Sequence, residues 1–124
     1  MARQSPTGLG NLGRSLRFRE SVSLLLRAEG ISNAVAPMHR SLASAFNPEN
    51  PSSDILGIPN FSILTRSEVA RDLSGGLNAA IRAAADDGSR FGFQVWERHS
   101  YATKDAFVVT DLDTLARLVK AVQS

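Results

Sequence analysis

One carboxylate and one guanidinium lie on two short apolar runs in the middle of this chain. Asp54 opens the first run, the sequence GIPN supplies a tight turn, and Arg66 ends the second run at Phe61–Arg66. Two such runs joined by a turn predict a β-hairpin within Ser53–Arg66. Arginine binds phosphate well through its planar fork. A single carboxylate, by contrast, supplies too few oxygens for a hard cation, which takes about six.

The sequence does not predict a zinc site, a phosphate-binding loop, a nucleophile elbow or a cysteine-based site. His39 and His99 have no i, i+4 partner and no nearby carboxylate pair, so neither predicts a zinc site. No phosphate-cradling glycine loop follows a predicted strand, and no nucleophile elbow is present. The sequence contains no cysteine, which excludes disulfides and thiolate metal sites.

The composition predicts one ordinary domain. The chain has 124 residues, of which 43% are apolar and 21% are charged. No apolar run is long enough to cross a membrane, and the first residues lack the apolar core of a secretory signal. We therefore expect a cytoplasmic location and no membrane partner.

Positive charge is concentrated near the start of the chain. Residues 1–40 contain six arginines and two glutamates, a local charge of +4, while the remainder carries eight basic and ten acidic residues. Twelve of the fourteen basic side chains are arginine. A basic N-terminal segment is compatible with nucleic-acid binding. Base composition of the coding DNA would explain the arginine content equally well, so both explanations stay open.

Periodicity and punctuation predict the element order α-β-β-β-α-β-β-α. The predicted elements begin with a flexible tail (residues 1–11), a helix from Leu12 to a Gly30 cap, an edge strand (Ser32–Met38), a loop (Arg40–Ser53) and the hairpin. They continue with a helix from Asp72 or Ser74 to Asp86, which Asp86–Ser89 ends, a second hairpin (Phe91–Trp96 with Ala106–Val109), and a last helix whose capping box is Thr110 and Asp113. The apolar stripe of the first helix is Leu16, Phe18, Val22, Leu25 and Leu26, and that of the last helix is Leu112, Leu115, Val119 and Val122. Residues 12–124 thus form a single domain.

In this order the chain resembles a known family. GRSLRFRESVSLLLRAEGI, SDILGIP, FSILTR, DLSGGLNAAIRAAADDGSRFGFQVWERHS and DAFVVTDLDTLARLV resemble successive segments of the PD-(D/E)XK nucleases. Within that superfamily they are most similar to the small Holliday junction resolvases of archaea and of actinobacterial phages. The resemblance covers residues 13–122 and implies a restriction-endonuclease-like α/β fold, a mixed sheet flanked by helices.

The resemblance also implies a metal site, from which this sequence departs. In the family an Asp and a Glu on adjacent strands hold Mg²⁺, and a Lys two residues after the Glu faces the same way. Asp54 matches the Asp. Leu64 stands at the Glu position and cannot bind a cation, and Arg66 stands at the Lys position but never acts as a base. Arg19 corresponds to a family Glu on the first helix, with Glu20 one residue away.

A relocated carboxylate would restore a second ligand. Glu68 lies two residues beyond Arg66 and would share its face if the strand continued. The resemblance therefore implies Asp54, Arg66 and Glu68 as catalytic residues, with Mg²⁺ between Asp54 and Glu68. The alternative for each of these residues is an ordinary surface charge.

The function implied by the resemblance is binding to branched or double-stranded DNA as a homodimer, with no small-molecule cofactor. The expected DNA-binding residues are Arg14, Arg17, Arg19, Arg98 and Lys104. Three alternatives stay open: an active Mg²⁺-dependent endonuclease, a catalytically dead DNA-binding module, and a structural or assembly protein, for instance of a phage, that reuses the fold.

Overall fold

The computed structural model describes residues 9–36 and 53–123, and within them the chain is an α/β protein. The elements are α1 (Leu9–Ala28), β1 (Phe61–Arg66), α2 (Leu73–Asp87), β2 (Phe91–Trp96), a 3₁₀ turn (Thr103–Asp105), β3 (Phe107–Val109) and α3 (Leu112–Val122). None of these helices combines the length and apolar character needed to cross a membrane. Outside the described residues lie the predicted tail up to residue 8, the predicted loop up to residue 52, and His39. Residues 9–11, predicted as part of a flexible tail, form the start of α1 instead.

The three strands form one mixed sheet in the order β1-β2-β3. β1 and β2 are parallel, with Phe61 opposite Phe91 and Arg66 opposite Trp96, so both strands end at the same edge. A parallel pair needs a crossover connection, which α2 supplies. β2 and β3 pair in antiparallel fashion, which confirms the second predicted hairpin.

The two strands predicted before β1 are reduced to isolated bridges. Val35 bridges Leu56, and Ile55 bridges Ile63, both in the antiparallel sense. The amide groups of Asp54 and Ile55 both donate to the carbonyl oxygen of Ile63, at 2.7 and 3.3 Å. Because two residues of one limb share one acceptor, the ladder is interrupted there as in a β-bulge. The hairpin of the sequence is therefore present as a turn with bridges and one full strand.

The end of the first limb is also set by a glycine. Gly57 has φ +89°, and a Cβ there would lie 1.9 Å from the carbonyl oxygen of Asn33. Only glycine fits such a close approach with a left-handed backbone. The bridged part of the limb therefore ends at Leu56, immediately before Gly57.

The capping residues predicted from the sequence are confirmed in α2 but not in α3. The carboxylate of Asp72 accepts from the amide of Gly75 at 2.9 Å, and Gly88 ends α2 in the left-handed region. The capping box predicted for α3 is wrong. Asp111 is the N-cap of α3, and its carboxylate accepts from the amide of Thr114 at 3.1 Å. Thr110 instead donates its hydroxyl to the carbonyl of Gly92 at 2.8 Å, which ties it to β2.

Helices α1 and α2 pack on opposite faces of the sheet. Phe18 and Val22 of α1 are buried against Ile63, as the apolar stripe of the sequence predicts. On the other face, Leu64 packs against alanines of α2. Alternate residues of β1 therefore serve two different cores. The face toward α1 also contains the polar residues of the candidate site.

Candidate functional site

Asp54 is buried beside β1 with both carboxylate oxygens engaged. Oδ2 accepts hydrogen bonds from the backbone amide of Thr65 at 2.8 Å and from its hydroxyl at 3.4 Å. Oδ1 lies 3.2 Å from Nη2 of Arg19. The short first limb of the hairpin places Asp54 next to β1. Helix α1, which packs on this face of the sheet, carries the guanidinium of Arg19. Asp54, Thr65 and Arg19 thus form one polar cluster in an otherwise apolar layer.

Arg19 is the residue whose placement departs most from expectation. It was expected to contact DNA from the surface, but its side chain is buried. Nε donates to the hydroxyl of Thr65 at 3.2 Å, and Nη1 is buried without a partner among the described residues. Arg19 lies on the same face of α1 as Ser15 and Val22, and that face packs on β1. Its position on the helix therefore directs it inward.

Burial dominates the electrostatics of this cluster. It raises the pKa of Asp54, while the charge of Arg19 and the two hydrogen bonds from Thr65 act in the opposite direction. Burial likewise lowers the pKa of Arg19, and the charge of Asp54 opposes that shift. Each group is therefore the main compensation for the other. Removing either one leaves an ionisable group in an apolar layer.

The residues around Asp54 do not fit Mg²⁺. One carboxylate oxygen is paired with a guanidinium and the other with Thr65. Within the described ranges no group of three or more His, Cys, Asp or Glu side chains is close enough to hold a metal ion. A hard cation needs several oxygens with free lone pairs, and here a fixed positive charge already satisfies the carboxylate.

Glu68 lies elsewhere, paired with Arg66. Its carboxylate is 3.5 Å from Nη1 of Arg66 on the surface. The Arg66 guanidinium also lies 5.6 Å from the ring centre of Trp96. β1 ends at Arg66, so the alternation that would align Glu68 with the strand face stops before it reaches that residue. The structure therefore does not join Glu68 to Asp54 by any contact.

The expected DNA-binding residues of α1 meet the segment after β2 at a surface cleft. Arg14 and Arg17 line a cleft of about 450 Å³ together with Glu97, His99 and Thr103. The cleft lies toward the edge where the parallel strands β1 and β2 both end. In open α/β sheets, ligands commonly bind outside the carboxyl ends of the strands. Residues far apart in the sequence thus form one basic recess.

His99 holds the recess together rather than serving as a metal ligand. Its Nε2 lies 2.6 Å from the backbone carbonyl of Ser67. A carbonyl oxygen only accepts, so Nε2 carries the proton. The Ser67 hydroxyl in turn is 3.0 Å from that of Ser15 on α1. These contacts join α1, the end of β1 and the end of β2.

Cationic and aromatic side chains stack beside this recess. The guanidinium of Arg98 lies 3.7 Å from the ring centre of Tyr101 and 4.9 Å from that of Phe107, and Arg71 approaches Phe107 at 4.7 Å. Lys104, on the same turn, is exposed and lies 3.4 Å from Asp105. Such stacks are stabilised by the ring quadrupole.

Sequence reasoning singled out Arg98 and Lys104 but missed Arg71, Tyr101 and Phe107. The closeness of Arg98, Tyr101 and Phe107 along the chain was visible in the sequence. The turn that brings the two arginines to one ring was not, because it depends on how β2 and β3 pair.

No protein-family model, no curated protein and no solved structure matches this chain. The resemblance to nucleases therefore stays a prediction based on element order and on Asp54. Two features of the structure bear on function: the buried Arg19–Asp54 pair and the basic recess with its adjoining stack.

Proposed function

We propose that this protein binds the phosphate backbone of branched or double-stranded DNA through its basic recess, without metal-dependent cleavage. The observation that carries the proposal is the convergence of Arg14 and Arg17 from α1 with the segment that follows β2. Arg98 and Lys104 of that segment add further positive charge. Arginine suits bidentate phosphate contacts, and exposed aromatic rings beside arginines favour contact with bases or sugars.

The absence of cleavage is inferred from Arg19. Its guanidinium pairs with Asp54 on the side where the resemblance would put a metal ion. The second carboxylate of the expected site, Glu68, is paired with Arg66 instead. We therefore propose a non-catalytic relative of the resolvases.

The finer fold assignment belongs to the same proposal. The order of helices and strands, with two antiparallel bridges before β1 and a parallel crossover after it, supports a restriction-endonuclease-like αβββαββα arrangement with two reduced strands. A homodimer and a cytoplasmic location are the expected setting of such a DNA-binding protein.

A binding titration tests the proposal. Labelled four-way junctions and linear duplexes are titrated with the protein, and fluorescence anisotropy is read at several salt concentrations. We expect submillimolar binding that weakens as salt rises, because phosphate contacts release counterions. Incubation with Mg²⁺ or Mn²⁺ is expected to leave the DNA intact.

Matched charge reversals locate the surface. Arg14→Glu/Arg17→Glu is expected to weaken DNA binding at least tenfold. Arg27→Glu/Arg82→Glu changes the net charge equally at exposed positions away from the recess and is expected to have a small effect. Equal losses in both double variants, or no binding by the parent, would overturn the proposed interface. Metal-dependent nicking that Asp54→Ala abolishes would overturn the non-catalytic assignment.

A further inference from the structure

The last helix presents an apolar stripe to solvent. Four side chains make up this stripe, with exposed fractions of 79% for Leu112, 45% for Leu115, 45% for Val119 and 77% for Val122. The same helix buries only one residue completely, Thr114. A surface helix normally directs its apolar face toward the core. Helix α3 therefore differs from α1, whose Phe18 and Val22 are buried.

Helix α3 is attached to the sheet by a different, more polar face. Thr114 is buried, and the guanidinium of Arg117 donates to the carbonyl of Arg90 at 2.6 Å. The Arg117 guanidinium also lies 5.8 Å from the ring centre of Phe91. At about 100° per residue, the centre of the apolar stripe is roughly 150° around the helix from the attachment face that Thr114 and Arg117 form. The stripe thus lies outside the core that the described residues form.

The spacing of the stripe is that of a helix-pairing seam. Leu112, Leu115, Val119 and Val122 follow one another at intervals of three, four and three residues, as positions a and d of a heptad do. The pattern is also symmetric about its own midpoint. In an antiparallel pair of identical helices, Leu112 faces Val122 of the partner and Leu115 faces Val119, so every layer is filled by one leucine and one valine.

We propose that α3 pairs with the α3 helix of a second copy of this chain, antiparallel and around a two-fold axis. Such an interface is isologous, because the same patch serves on both copies. This inference does not depend on DNA binding.

The distribution of charge on α3 favours the antiparallel arrangement. Asp111 and Asp113 lie at its N-terminal end, and Lys120 lies in its last turn. An antiparallel pair places the acidic end of each helix near the basic end of the other and opposes the two helix dipoles. A parallel pair would place acidic end beside acidic end. The same charges therefore favour the antiparallel orientation over the parallel one.

The small size of the stripe limits the expected affinity of the dimer. Four apolar side chains per copy are far fewer than the about 20–30 residues a side of a standard interface. Association also costs translational and rotational freedom. We therefore expect a dissociation constant of about 10 µM to 1 mM, a range in which the dimer depends on concentration.

Sedimentation equilibrium of the full chain tests the pairing. The parent is expected to pass from monomer to dimer as its concentration rises. Leu115→Lys/Val119→Lys is expected to remain monomeric with an unchanged far-UV circular dichroism spectrum, because both side chains point to solvent. Val69→Lys/Ile81→Lys is the control, since these residues are exposed apolar side chains outside α3. It is expected to dimerise like the parent.

Disulfide trapping tests the orientation on a chain that contains no natural cysteine. Leu112→Cys and Val122→Cys proteins are oxidised separately and as an equimolar mixture. In the antiparallel pair only the mixture is expected to cross-link, because two copies of position 112 are separated by about 15 Å along the helix axes and a disulfide spans at most about 7 Å between Cα atoms.

Several results would overturn the proposal. A parent that stays monomeric up to millimolar concentration would mean that another part of this chain, or a different protein, covers the stripe. Cross-linking of Leu112→Cys alone would indicate a parallel pair. A dimer unaffected by Leu115→Lys/Val119→Lys would place the interface elsewhere.

Discussion

Two arginine–carboxylate pairs lie beside β1, and their environments are opposite. The Arg19–Asp54 pair is 3.2 Å long, with side chains only 5% and 7% exposed. The Arg66–Glu68 pair is 3.5 Å long, with side chains 38% and 55% exposed. Both combine the same chemical groups at similar distances. Burial, rather than the presence of an ion pair, therefore decides which charges of this protein are structural and which can contact a ligand.

The largest expected effect is the loss of one partner of the buried pair. Asp54→Ala leaves the Arg19 guanidinium uncompensated in an apolar layer and is expected to lower the free energy of unfolding by about 3–5 kcal/mol. Urea denaturation monitored by circular dichroism measures the change. Replacing both partners by apolar residues, as in Arg19→Met/Asp54→Leu, is expected to cost less than Asp54→Ala alone. A loss below 1 kcal/mol for Asp54→Ala would contradict the buried pairing.

A second effect appears in the pH dependence of stability. The folded-state pKa of Asp54 lies above the unfolded value of about 3.9, so between the two the native state binds more protons than the unfolded state. The contribution of Asp54 to stability therefore falls as pH rises through this window. Relative to Asp54→Asn, the parent is expected to gain stability as pH is lowered through the folded-state pKa toward the unfolded value of about 3.9. Denaturation series at each pH provide the measurement, and a constant difference would count against the shift.

The pKa of Asp111, a half-buried residue at the start of α3, is shifted in the opposite direction. The hydrogen bond from Thr114 lowers the pKa of Asp111. Its contribution is fully present above the unfolded value of about 3.9 and is lost as pH falls through the folded-state value. Asp111→Asn is therefore expected to reduce the decline in stability below pH 4, in contrast to Asp54→Asn. Thermal unfolding between pH 2 and pH 5 would reveal the difference, and parallel slopes for the two variants would refute it.

The exposed pair is expected to contribute little. Arg66→Ala and Glu68→Ala should each change the unfolding free energy by less than about 1 kcal/mol, with a coupling energy of about 0.5 kcal/mol or less. A double-mutant cycle at low and high salt measures this coupling. A coupling as large as that of the buried pair would show that exposure does not distinguish the two.

The smallest expected effect is that of Mg²⁺ on the thermal midpoint of unfolding. Because Arg19 already pairs with Asp54, about 10 mM Mg²⁺ is expected to leave the thermal midpoint of the parent unchanged, since a ligand that does not bind the native state cannot stabilise it. In Arg19→Glu a second carboxylate would stand near Asp54, and Mg²⁺ is expected to raise its midpoint. A rise of several degrees in the parent would mean that Asp54 does accept a cation.

Much of the framework was predictable from local patterns. The cap of α2 at Asp72, its end at Gly88 and the pairing of β2 with β3 all follow from turn residues and from periodicity. Such features depend on contacts between residues close in sequence. The two strands expected before β1 do not form continuous ladders. The amides of Asp54 and Ile55 share the carbonyl oxygen of Ile63, and Gly57 lies close against the backbone of Asn33.

The candidate site was predictable only in part. Asp54 was a candidate because it opens an apolar run and matches the metal-binding Asp that the resemblance implies, and the structure places it in a buried polar cluster. Its partner Arg19 lies 35 positions earlier and resembled the other surface arginines of α1. Nothing local distinguishes Arg19 from Arg14 or Arg17. Only the face of the helix that packs on β1 makes that distinction.

The sequence by itself determined the α/β class, the positions of α1, β1, α2 and β2, and the apolar stripe of α3, because each is written in residues a few positions apart. The tertiary structure alone decided that Arg19 neutralises Asp54, that Arg14 and Arg17 meet the segment after β2, and that the stripe of α3 faces solvent. These outcomes depend on which helix face is covered by a distant strand, and packing of the whole chain sets that.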